Sequence, residues 1–267
     1  MAISYSLMRA MDRSMRPTIV QLRQFYSSRL GRRVKQRLRQ VMLQHWGDHT
    51  AESIIGIGYT PPLLRVLDRT TQSNAVILAL MPAEQGAIYW PVHTDNRSIL
   101  ADELMPPFAA NSLQRVLIAH AFEFHERPQE LLNVYWEMLS PGGRLMLIVP
   151  NRRGLWAHTG RTPFARGTSY RMGRVKDMLE EAQFTLRESM TALYTPPTAH
   201  PLLLRAWTVI EWVASMLLPG LGGVIIIEAE KQIYAGLGVP VQVARREKSW
   251  AGNAVPATER LRPSNRI

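Results

Sequence analysis

The sequence predicts an α/β fold: a doubly wound, mostly parallel sheet of seven strands, with a basic helical extension before it and a hydrophobic helical insertion ahead of the last strand. Three observations carry this prediction. Strand-length apolar runs alternate with helical or turn-forming stretches along most of the chain. The run from Ser98 to Asn151 passes through an acidic turn, a strand, a helix, a glycine turn and a strand. That order suits the second half of an open parallel sheet, whose ligands sit beyond the carboxyl ends of the strands, and it points to a nucleotide-like cofactor. Finally, 267 residues at 46% hydrophobic content suffice for one large core.

The elements follow in order. Between Arg13 and Gly47 no acidic residue occurs, while Leu22, Tyr26, Leu30, Val34, Leu38 and Met42 recur every four residues. This is a helical stripe, which would pack on the domain with a solvated basic face or dock that face on RNA or an anionic surface. Gly31 is the expected point of division into two helices. Ser53 to Ile57, ending in Gly58, reads as the first strand, and Pro61-Pro62 suits the first turn of the helix after it. Ala75 to Met81 and Ser98 to Ala101 read as the second and third strands, and Arg115 to Ala119 as the fourth. Pro128 opens a helix that buries Leu131, Leu132, Tyr135, Trp136 and Leu139; Pro141-Gly142-Gly143 ends it, and Arg144 to Val149 is the fifth strand. A helix over Ser169 to Ala182, a sixth strand over Phe184 to Leu193 and a last strand over Val224 to Glu230 complete the set. His200 to Leu218 is predominantly apolar, but Arg205 and Glu211 interrupt it, so a buried or interfacial helix is expected rather than a membrane span. The domain boundaries expected are a basic extension at 1–48, a cofactor-binding domain at 49–240 with its insertion at about 196–220, and a basic, disordered tail at 241–267.

Composition narrows the chemistry. Cysteine is absent, which excludes disulfide frameworks, thiolate metal sites and a cysteine nucleophile. No apolar stretch of secretory type opens the chain, so a cytoplasmic protein, peripheral to membrane at most, is expected. The net charge of +11 is concentrated towards the two ends, which says less about nucleic acid than a uniformly basic surface would. His120, Glu123 and His125 form a titratable cluster just past the fourth strand, suited to general-base work on a hydroxyl or amine. Their spacing matches no strong metal motif, and no metal is expected.

Asp102, Met105-Pro106-Pro107-Phe108, Val116 to His120 and Leu139-Ser140-Pro141-Gly142-Gly143 together resemble the class I S-adenosylmethionine-dependent methyltransferases, in particular the small-molecule, type 11 group with its Rossmann-like domain. The resemblance runs from about Ala51 to Ile233. It implies S-adenosylmethionine as cofactor, with Gly56, Gly58 and Tyr59 at the first-strand turn, Met81 at the ribose position, and Asp102, Glu103 and His120 on the adenine side. The titratable cluster of His120, Glu123 and His125 would then stand at the mouth of that cofactor pocket as the candidate catalytic group. Two departures stand out. The usual acidic residue and Gly-x-Gly-x-Gly turn become Gly56-Ile57-Gly58-Tyr59-Thr60-Pro61-Pro62, and the ribose-binding carboxylate falls on Leu80 or Met81, with Glu84 lying beyond Pro82. Each lost charge-assisted bond costs about 1.5–3 kcal/mol. The sequence therefore supports a methyltransferase acting on a small, lipophilic molecule, or alternatively an inactive protein of that fold serving in binding or assembly, with RNA binding a third reading. A homodimer through the Trp207–Trp212 helix is the partner expectation if that helix is exposed.

Overall fold

The computed structural model describes residues 16–46, 53–70, 75–92, 94–160 and 162–232. The expected C-terminal tail lies outside the described residues. Helices α1 (Ile19–Ser27) and α2 (Arg29–Trp46) precede β1 (Ser53–Gly58), α3 (Pro61–Thr70), β2 (Val76–Met81), β3 (Ser98–Leu100) and β4 (Leu113–Ala119). Then come α4 (Pro128–Met138), β5 (Leu139–Pro150), α5 (Met172–Glu181), β6 (Phe184–Ala192), α6 (Pro201–Arg205), α7 (Trp207–Leu217) and β7 (Val224–Lys231). Seven strands form one sheet in the order β3-β2-β1-β4-β5-β7-β6. β1 pairs in parallel with both β2 and β4, so the chain reverses its winding direction between β1 and β4. At such a reversal the connections leave in opposite directions and open a crevice over the strand tips. β7 runs antiparallel between β5 and β6.

Both faces of the sheet are covered, which is why the central strands read as near-continuous apolar runs rather than alternating ones. One face packs Ile54, Leu117 and Met146 beneath Leu22, Val34, Trp46 and Leu64 of the first three helices. The other packs Ile55, Val116 and Leu147 beneath Leu131, Tyr135, Val175 and Leu179 of α4 and α5. All six residues of the N-terminal stripe are buried. β7 places Glu228 in the first face, where it accepts from Trp46 Nε1 at 3.1 Å and from Arg144 at 3.2 Å, with Arg115 at 3.8 Å.

Three local expectations are corrected. The N-terminal helices part at Ser28, not Gly31. Ser28 Oγ donates to the Phe25 carbonyl at 2.6 Å and accepts from the Gly31 amide at 3.0 Å, so its side chain satisfies backbone groups on both sides of the break. Gly31 instead lets α2 pass α1, since a Cβ there would lie 2.8 Å from Tyr26 Cα. Pro141-Gly142-Gly143 does not separate helix from strand. It sits inside β5, where Leu139 pairs with Leu113 and Arg144 with Arg115, so these residues form an irregularity in the ladder. The apolar segment before β7 is neither one helix nor buried: it breaks at Ala206, and of α7 only Trp207 and Glu211 are buried. Among the described residues no helix is long and apolar enough to cross a membrane.

Candidate functional site

Of the residues expected at the site, Gly58, His120 and Glu123 lie at or just past the carboxyl ends of β1 and β4. β1 ends on Gly58, whose φ of +78° is a left-handed conformation that favours glycine. A Cβ at Gly58 would stand 2.5 Å from the Ala119 carbonyl oxygen and 2.9 Å from Ala121 Cβ, so only glycine lets these two strand ends approach. Gly56 faces Thr60 and Leu64, where a side chain would collide with the Thr60 hydroxyl. Met81, closing β2, is fully buried and offers no hydrogen-bonding group.

His120, the first residue past β4, has φ of +56°, an uncommon conformation for a residue other than glycine. Its ring is buried, with Nε2 2.8 Å from the Tyr26 hydroxyl and Nδ1 3.6 Å from Glu123 Oε1. Burial, together with Tyr59 and the Glu123 carboxylate, holds the Tyr26 phenol well above the usual range, so it stays protonated. A proton on Nδ1, facing Glu123, leaves Nε2 to accept from Tyr26; this tautomer is assigned from the surroundings. The Phe164 ring covers His120 at 4.8 Å, and Tyr59 lies beside Tyr26 at 5.7 Å.

The predicted catalytic trio is brought together only in part. His120 and Glu123 are neighbours, whereas His125 Nε2 bonds Glu103 Oε2 at 2.7 Å. Glu103 is also held by Arg16 Nη2 through both carboxylate oxygens, at 2.6 and 2.7 Å. Asp102 is exposed, and its Oδ1 accepts from the Leu104 amide at 2.8 Å, closing a local turn.

Sequence reasoning missed three parts of this arrangement. Tyr26 stood out only as one member of an apolar stripe, Arg16 as one of many arginines, and Gln85 not at all. Gln85 Nε2 lies 3.4 Å from the His120 carbonyl and 3.5 Å from that of Pro17, while the Ile19 amide donates to the Gln85 carbonyl at 2.9 Å. The start of α1 and the turn after β2 are thereby tied down over the strand tips. Several buried polar atoms remain without a hydrogen bond here, namely both Glu123 oxygens, His120 Nδ1 and Gln85 Oε1. Such groups are costly inside a protein unless something else partners them.

Beside the tips lies a recess of about 550 Å³ that includes Arg23, Lys35, Arg39, Arg65, Tyr59 and Trp90 in its lining. Partial burial, together with the positive charge of Arg39, Arg65 and Arg32, lowers the Lys35 pKa. Among the described residues no carboxylate lines the recess, and Tyr26 forms part of its wall. Among the described residues no group of three or more potential ligands could hold a metal ion.

The seven-stranded, mostly parallel sheet covered by helices on both faces matches a known architecture. The fold is that of the class I S-adenosylmethionine-dependent methyltransferases. Solved structures similar to this chain include a methyltransferase from Archaeoglobus fulgidus, at 18% identity and TM-score 0.53, covering 78% of this chain and 96% of that one. A methyltransferase from Thermotoga maritima matches at 13% identity and TM-score 0.54, covering 76% and 91%. The [4+2]-cyclase SpnF matches equally well, at 16% identity and TM-score 0.52, covering 73% and 80%, so the methyltransferase fold by itself does not specify methyl transfer. No family model matches the sequence. No curated protein does either.

Proposed function

We propose that the chain is an S-adenosylmethionine-dependent methyltransferase acting on a small molecule, and that Tyr26 closes the site between turnovers. The observation that carries this reading is the set of unpartnered buried acceptors at the strand tips, both Glu123 oxygens and Gln85 Oε1, beside a strand end that only glycine permits. A cationic nucleoside rich in N–H and O–H donors needs such acceptors. Glu123 and Gln85 would take over from the carboxylates missing after β1 and β2, and Arg23 in the recess would face the ligand's carboxylate. The cofactor would supply a methyl group on a sulfonium, whose leaving group departs as a neutral thioether.

His120 would accept the proton of a hydroxyl or amine substrate at Nε2, and Glu123 would stabilise the imidazolium through Nδ1. With Tyr26 on Nε2 this base is occupied, so movement of Tyr26 would both free the base and join the recess to the strand tips. Glu103 and His125 would act by position: with Arg16 they hold the segment before α1. The basic lining of the recess favours an acceptor molecule carrying negative charge.

A second reading rests on the same closure. Tyr26, Gln85 and Arg16 already satisfy much of the cleft, which suits a protein of this fold that binds or assembles without methylating. Calorimetric titration with S-adenosylmethionine and S-adenosylhomocysteine, on the full chain and on Tyr26→Phe, tests both. Micromolar binding by either protein supports the enzyme; silence from both at millimolar ligand rejects it in favour of the second reading.

A further inference from the structure

We propose that α6 and α7, with the neighbouring basic edge of α2, form a docking face for the surface of an anionic lipid bilayer. α7 buries only Trp207 and one acid, and leaves most of its apolar residues outward. The side it turns to the protein carries Glu211, whose carboxylate accepts from the Leu193 and Thr195 amides at 3.2 and 2.8 Å and lies 3.7 Å from Arg37. Those amides follow the end of β6, so a carboxylate there answers a local need for an acceptor. The apolar side is left outward. Val209, Trp212, Met216 and Leu217 are 63, 65, 65 and 71% exposed, and Leu202 of α6 and Leu218 are exposed at 64 and 50%. At helical spacing Val209, Trp212 and Met216 share one side of α7, and exposed apolar surface of this kind marks an interaction site.

Its border identifies the partner. Arg29, Arg32 and Arg33 of α2 share one recess with Leu204 and Arg205, and Arg33 and Arg37 share another with Trp212 and Ser215. Among the described residues neither recess contains an acid other than Glu211, which is buried and engaged. α2 itself carries no aspartate or glutamate. Large apolar side chains with a tryptophan, rimmed by long cationic ones, is the composition of a helix lying in the plane of a membrane interface. The apolar groups enter the acyl boundary, and the arginines reach anionic headgroups along their flexible stems. At 11 residues, α7 spans about 16 Å of the roughly 30 Å hydrocarbon core, so it would lie in the interface and not cross it. Lipid also needs no shape complementarity, which suits a convex helical surface. This inference does not depend on methyl transfer.

Co-sedimentation of the full chain with phosphatidylcholine vesicles, with and without phosphatidylglycerol, tests it. The expected result is binding to the anionic vesicles that weakens with added salt, and at least a tenfold loss in both Trp212→Asp/Leu217→Asp and Arg33→Glu/Arg205→Glu. Trp212, Leu217 and Arg205 are exposed and Arg33 is half-buried, so an unchanged circular dichroism spectrum and melting curve separate lost docking from lost folding. Three results overturn the proposal: no binding to anionic vesicles; binding that ignores the Trp212/Leu217 substitutions, as a phosphate backbone such as RNA would; or a dimer by light scattering that those substitutions dissociate, which would assign the apolar face to a second copy of the chain.

Discussion

Replacing Tyr26 by phenylalanine separates its role as a closure from its role in packing. The ring would remain against Phe25, Tyr59 and His120, and only the hydroxyl on His120 Nε2 would be lost. A net hydrogen bond between neutral groups contributes about 0.5–1.5 kcal/mol, and a buried acceptor left unpaired costs about 1–3 kcal/mol. The closed arrangement should therefore lose about 1 kcal/mol or somewhat more. For a protein of this size that lowers the melting temperature by about 2–4 °C. If the ligand must first displace Tyr26, the same 1 kcal/mol reappears as about fivefold tighter binding, because apparent affinity scales with the fraction of molecules already open. Calorimetry with S-adenosylhomocysteine and a melting curve on the same samples measure both quantities. A variant that melts earlier yet binds no more tightly would refute the closure argument, and weaker binding would make Tyr26 a ligand contact instead.

Gly58→Ala should destabilise the fold by at least about 1–2 kcal/mol, the cost of a side chain in left-handed backbone. The true loss should be larger, because the atom it meets is the Ala119 carbonyl oxygen, which cannot swing aside; urea denaturation measures it, and an unchanged midpoint contradicts the close approach. Glu228→Ala should cost about 1–3 kcal/mol, since it removes the acceptor of Trp46 and one of the two carboxylates facing Arg144 and Arg115, while Glu230 remains. Burial lowers the Arg115 pKa, with Arg144 pushing the same way and Glu228 opposing; replacement of Glu228 that leaves the denaturation midpoint within error would count against that network. Stability should also fall in alkali. Burial pushes Tyr59 up to about 12, with Arg23 pulling weakly the other way, whereas an unfolded tyrosine ionises near 10. Between those values the folded state holds the proton that the unfolded state has released, so the contribution is complete below about pH 10 and vanishes by about pH 12, a loss of about 2–3 kcal/mol. Denaturation midpoints of wild type and Tyr59→Phe across that interval should differ less steeply for the variant; parallel curves would remove Tyr59 as the cause.

Much of the fold was legible because burial on two faces leaves a mark in composition. β1, β2, β4, β5 and β7 are apolar runs whichever way they pair, and the fourfold stripe from Leu22 to Met42 needs only a helix to be continuous. The turn after β1 was legible because one residue type is irreplaceable there, as at Gly58. The site was illegible where a contact joins residues distant in sequence. Tyr26 and His120 are 94 positions apart, and Arg16 and Glu103 are 87 apart. Nothing local to either partner distinguishes it from a core tyrosine or a surface arginine. His125 shows the converse error: its proximity in sequence to His120 and Glu123 suggested one cluster, but at the end of the short helix Phe122–Phe124 its side chain turns to Glu103.

The amino-acid order by itself determined the sheet's composition, the sequence of strands and helices, and the crevice at their carboxyl ends, because apolar periodicity and glycine placement act through neighbours a few positions away. Only the tertiary structure decided what lies in that crevice and what lies outside it. The fold of the N-terminal helices brings Tyr26 onto His120, and the acceptor needed past β6 turns Glu211 inward and leaves the apolar side of α7 facing out. Both outcomes depend on which polar groups find partners across the chain, and local sequence does not encode that pairing.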